Sequence, residues 1–127
     1  MSSFITMPNI LVVDDYEPIC ELIELVLVRV GYRVCTATSG NDALRIARDS
    51  AEIQLILYGG DLSDMHGEEF VEKFMEVHPR ASIVFVSDSI AAVEMSHPFR
   101  VLDKPFTTVE LRDVVHCALR EQLDAIG

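Results

Sequence analysis

Ile10-Leu11-Val12-Val13-Asp14-Asp15 is the stretch on which the fold turns. Four apolar residues run directly into two adjacent carboxylates. An uninterrupted apolar run of this length is what a strand covered on both faces looks like. Acids at its end stand where ligands bind in open α/β sheets, outside the carboxyl ends of the strands. Two like charges side by side are costly unless a cation joins them, and a divalent metal or a lysine would serve.

The same pattern recurs along the chain. The first strand covers about Asn9 to Asp14. A helix follows with Pro18 in its first turn, where proline is tolerated. Its Ile19, Leu22, Ile23, Val26, Leu27 and Val30 keep helical spacing, and Gly31 closes it. A second strand spans Tyr32 to Thr38. Ser39 then N-caps a helix that turns Ala43, Leu44 and Ala47 inward.

Leu55-Ile56-Leu57-Tyr58 is the third strand, and Gly59 to Gly67 is a loop. The helix that follows buries Phe70, Val71, Phe74 and Val77, and Pro79 stops it. A fourth strand runs from Ala81 to Ser87. A weak helical stretch, about Ser89 to Met95, is broken by His97-Pro98. Phe99 to Asp103 is the fifth strand, and Lys104-Pro105-Phe106 a turn. The last helix opens on Thr107-Thr108-Val109-Glu110, a capping box, with Phe106 and Leu111 spaced as a hydrophobic staple. Five βα units of this size predict a five-stranded parallel sheet with helices on both faces.

Bulk properties agree and exclude several classes. The chain has 127 residues, half of them hydrophobic, which suits one domain with a proper core. A net charge of −11 argues against binding a phosphate backbone. No apolar run is long enough to cross a membrane, and the first residues lack the pattern of a signal peptide. Residues 1–8 read as an N-terminal arm and 9–127 as the domain. Cys20, Cys35 and Cys117 form no C-x-x-C pair and read as buried free thiols in a reducing cytoplasm. His66, His78, His97 and His116 show no metal-ligand spacing and are assigned to surface or loops.

Three strand ends carry polar groups: Asp14 and Asp15, then Ser87, then Asp103-Lys104. In a doubly wound sheet they share one edge. Two carboxylates, a hydroxyl and an ammonium suit a magnesium ion beside a phosphoryl group. Taken singly, Lys104 also suits a plain salt bridge to Asp14 or Asp15 and Ser87 a turn cap, but the spacing and order together are harder to explain that way.

Over nearly its whole length the chain resembles the receiver domain of two-component response regulators. The matching stretches are Ile10 to Asp15, Asp64-Met65-His66-Gly67, Ile83 to Ser87 and Lys104-Pro105-Phe106. The resemblance implies a flavodoxin-like doubly wound sheet in strand order 2-1-3-4-5. It also implies phosphoryl transfer from a histidine kinase to an aspartate at the end of the third strand, assisted by Mg²⁺. By that resemblance Asp14 and Asp15 are the metal-site acids, the backbone of Asp61 faces the metal, Ser87 is the reorienting hydroxyl and Lys104 pairs with the phosphoryl group. Implied partners are a histidine kinase, a phosphotransfer protein or a downstream signalling protein, with neither nucleic acid nor membrane.

The acceptor is where the match fails. It should lie eight residues before Gly67 and directly after Leu55 to Tyr58, and both counts arrive at Gly59. Glycine carries no nucleophile. The proline usually found four residues after the acceptor is Ser63. Lys104 follows Ser87 by seventeen residues, short of the family spacing by about one helical turn, roughly 4–6 residues. The fourth helix is therefore expected to be short or irregular. Val101 replaces the usual aromatic residue three before the lysine.

These departures point to an atypical receiver that is not an enzyme and has no output domain. It would act as a protein-interaction module with Mg²⁺ binding weakened by the missing carboxylate. The alternative is a phosphorylatable receiver that uses Asp61 as substitute acceptor, with Mg²⁺ at Asp14 and Asp15.

Overall fold

The computed structural model describes residues 9–60, 62–87 and 100–126, the last five without their side chains. The N-terminal arm, Asp61 and the fourth helical stretch with Phe99 lie outside the described residues. Five strands form one parallel sheet: β1 (Asn9–Val13), β2 (Arg33–Ala37), β3 (Leu55–Tyr58), β4 (Ser82–Ser87) and β5 (Arg100–Asp103), in the order β2-β1-β3-β4-β5. The described helices are α1 (Glu17–Val30), α2 (Gly40–Asp49), α3 (Gly67–Val77) and α4 (Thr108–Ile126). The parallel sheet is what the alternation of runs predicts, and its order is the flavodoxin-like one that the resemblance implies.

Alternating side chains on each strand feed two cores, which is why the strands read as unbroken apolar runs. Leu11, Val13, Ile56 and Tyr58 pack with Leu44, Phe70 and Phe74 from α2 and α3. Ile10, Val12, Leu55 and Leu57 pack with Ile23, Leu27, Leu111 and Val115 from α1 and α4. Ile10 to Val13 of β1 and all of β3 are buried on both faces.

Local signals fix the helix ends as read. Ser39 Oγ accepts the Asp42 N–H at 3.1 Å. Gly31 closes α1 in the left-handed region, φ 116°. The capping box is reciprocal: Thr107 Oγ1 accepts the Glu110 N–H at 3.0 Å, and Glu110 Oε1 accepts the Thr107 N–H at 2.8 Å. Phe106 and Leu111 join the same core, as the staple requires.

Six side-chain assignments need correction. Leu22 and Val30 are exposed, because α1 is apolar around much of its circumference and the sheet takes only the stripe through Cys20, Ile23 and Leu27. Val77 is exposed at the last turn of α3. Cys35 and Cys117 are exposed and only Cys20 is buried; Cys117 lies two residues past Val115 and so points away from the α4 core stripe. His78 is buried rather than on the surface: the chain turns back on α2 after α3, and His78 Nε2 lies 2.7 Å from the Ala47 carbonyl oxygen.

Candidate functional site

The strand order reverses between β1 and β3, and in open α/β sheets the carboxyl ends of the strands at such a switch point are where ligands bind. Register sets what meets there. Val13 pairs with Tyr58, so Asp14 and Gly59 are the first residues past the ends of adjacent strands. The Gly59 N–H donates to the Val13 carbonyl at 2.9 Å, extending the ladder to that level. Ser87 pairs with Asp103, and the Lys104 N–H donates to the Ser87 carbonyl at 2.7 Å. Asp14, Gly59, Ser87 and Lys104 thus share one edge.

The two adjacent acids take different positions. Asp14 is only 5% exposed, whereas Asp15 is exposed to solvent. Lys104 Nζ reaches Asp14 Oδ2 at 3.1 Å across the sheet edge. The other oxygen, Oδ1, accepts the Tyr16 N–H at 2.9 Å in an Asx turn. The Asp14 backbone is held as well. Its N–H donates to the Ala37 carbonyl at 3.2 Å, and its own carbonyl accepts from the Cys20 thiol at 3.4 Å. Burial pushes the Cys20 thiol up to about 11, with the Asp14 charge adding to the shift.

The Asp14 carboxylate lies over Gly59. A Cβ built at Gly59 would stand 2.4 Å from Asp14 Oδ2 and 2.8 Å from Cγ. The space beside β3 where a side chain at position 59 would begin is therefore filled by Asp14. Gly60 continues the chain at φ 86°, a conformation that favours glycine, and Phe85 stacks on Tyr58 beside it at a centroid distance of 5.1 Å.

The following loop is anchored from its far end. Asp64 accepts the Gly40 N–H at 2.8 Å and the Asn41 N–H at 2.9 Å at the start of α2. The Asn41 and Gly40 N–H groups hold its carboxyl below its ordinary value of 3.8. Met65 is buried against Gly40.

The site expected from the sequence is assembled in part. Asp14, Ser87 and Lys104 are brought together with Gly59, Asp15 turns to solvent, and Asp61 lies outside the described residues. Tyr16, Cys20 and the Asp64 clamp were missed. The Asp14-x-Tyr16 spacing is an Asx-turn signal that could have found the first; the other contacts join segments distant in sequence.

Magnesium needs open carboxylate oxygens arranged around it. Both Asp14 oxygens already have a protein donor, the place beside Oδ2 is held by an ammonium, and position 59 offers no carboxylate. Among the described residues no three His, Cys, Asp or Glu side chains converge. Among the described residues this arrangement does not fit the ion.

Comparison with known proteins places these features in context. The model of the response regulator receiver domain matches residues 10–116. The Escherichia coli K12 transcriptional regulatory protein GlrR is 26% identical over 123 residues, covering 92% of this chain and 27% of the relative. The chain spans about a quarter of the length of the curated relatives it matches. Among solved structures, a CheY-like receiver domain protein from Methanospirillum hungatei aligns with a TM-score of 0.83 at 24% identity, covering 94% of this chain and 99% of the other. The Vibrio cholerae chemotaxis protein CheY4 aligns at 0.81 and 25%, covering 90% and 100%.

Proposed function

The chain belongs to the response regulator receiver domain family, and from that premise we propose that it is a receiver without aspartyl-phosphate chemistry. It works as a protein-interaction module in a two-component or phosphorelay pathway. Its partners are signalling proteins of that pathway, it acts in the cytoplasm, and it is not an enzyme.

One observation carries this reading. The acceptor position is Gly59, and the volume its side chain would enter is taken by a carboxylate already paired with Lys104. In a phosphorylatable receiver the lysine answers a charge that comes and goes. Here it answers a charge that is part of the fold. Asp14, Lys104 and Ser87 are then the frame of a switch that no longer receives its signal by phosphorylation, and the output depends on the level of the protein or on a bound partner.

Incubation with a small phosphodonor and Mg²⁺, followed by intact-mass measurement, tests the proposal. No gain of a phosphoryl group is expected under conditions that label a competent receiver. A stoichiometric gain overturns it, and peptide mapping to Asp61 would establish the substitute-acceptor reading instead.

A further inference from the structure

We propose that the Lys104 ammonium is the resident cation of this site, holding the place a divalent metal would need, so that the folded protein takes no Mg²⁺ at Asp14 and Asp15. The inference rests on the reading of Gly59 given above but concerns a different property.

The first ground is charge. An acidic edge at the end of a parallel sheet needs a counter-cation, because Asp14 is 5% exposed and cannot rely on water. The ammonium lies 3.1 Å from Oδ2, at hydrogen-bond distance, on a side chain that is itself largely covered. It neutralises Asp14 with one charge, while Asp15 is left to solvent. A divalent ion brought to the same oxygen would meet a positive charge within a few ångströms, and like charges that close repel strongly in a partly buried site.

The second ground is geometry. The carboxylate faces Gly59, into space that exists only because residue 59 has no Cβ. To serve a metal, Asp14 would have to leave Lys104, and nothing at position 59 would replace it as the lysine's partner. The Tyr16 N–H holds Oδ1 and resists that rotation. Loss of the acceptor and retention of the lysine together convert a metal site into an internal ion pair. Lys104 is accordingly a positioning residue: it fixes the Asp14 rotamer and ties the β5–α4 turn to the end of β1.

Thermal unfolding in MgCl₂ at constant ionic strength tests this on the full chain, in the wild type and in Lys104→Met. The wild-type midpoint is expected not to change with Mg²⁺ into the tens of millimolar. Lys104→Met starts lower and climbs by about 3–6 °C as the metal takes over the vacated role. Substoichiometric Mn²⁺ is the second readout. It should leave the Tyr16 and Gly59 amide signals of the wild type sharp and broaden them in the variant. Saturable stabilisation of the wild type by Mg²⁺, or Mn²⁺ broadening at those amides, overturns the inference, as does a variant that gains nothing from the metal. Phosphodonor labelling probes the absence of an acceptor and cation titration probes the identity of the counter-ion, so either idea fails without the other.

Discussion

Replacing Lys104 with methionine keeps the length and apolar stem of the side chain and removes its charge. The partner, Asp14 Oδ2, is 3.1 Å away, and the two side chains are 24% and 7% exposed. At an effective dielectric constant of about 20, charges at this separation attract by about 5 kcal/mol. Desolvation of Asp14 and the fixing of a long side chain offset part of that. The pair lies between an exposed ion pair, about 0–1 kcal/mol, and a fully buried one, whose breaking costs about 3–5 kcal/mol. A loss of about 2 kcal/mol is expected for Lys104→Met. For 127 residues at about 2.1 cal/mol/K each, that lowers the melting midpoint by about 7 °C. Calorimetry or denaturant titration reads it. Asp14→Asn and the double variant complete a cycle whose coupling energy should be about 1–2 kcal/mol. A coupling energy indistinguishable from zero would refute the claim that this pair closes the edge of the sheet.

Other perturbations reach the same edge from different sides. Gly59→Ala places a Cβ 2.4 Å from Asp14 Oδ2, so the carboxylate must rotate away from Lys104; a cost of about 1–3 kcal/mol is expected in urea unfolding, and a neutral result would mean that Asp14 does not occupy that space. Asp64→Ala releases the Gly40 and Asn41 N–H groups and should destabilise the protein at neutral pH. Because the folded state depresses this carboxyl below 3.8, its contribution is full above that value and is lost as the pH falls through the folded pKa. Stability curves of wild type and variant should therefore converge in strong acid. A thiol reagent at pH 8 should modify Cys35 and Cys117 quickly and Cys20 only after unfolding, since Cys20 is buried with its thiol pushed up to about 11. Rapid modification of all three would contradict that environment.

The parts of the fold legible in sequence were those set by neighbours along the chain. Ile10 to Val13 and Leu55 to Tyr58 declare doubly covered strands by their unbroken apolarity, and Ser39, Gly31 and Thr107 with Glu110 mark helix ends by local hydrogen bonding. Side-chain orientation was less accessible where periodicity was ambiguous. Leu22 and Val30 read as core because α1 offers more apolar residues than one buried stripe can use. At the site, Asp14, Gly59, Ser87 and Lys104 could be placed on one edge from strand order alone. That Asp14 turns over Gly59 while Asp15 points to water could not be read locally. It depends on a missing Cβ 45 residues downstream, a lysine 90 residues downstream and the Asx turn at Tyr16.

The central claim is that this receiver holds one arrangement at its site and does not respond to phosphorylating conditions. Amide ¹H–¹⁵N spectra recorded before and after addition of a small phosphodonor with Mg²⁺ test it most directly. The signals of Gly59, Ser87 and Lys104 are predicted to stay in place. Their displacement to a second set of positions, reverting as the phosphodonor is exhausted, would contradict the claim.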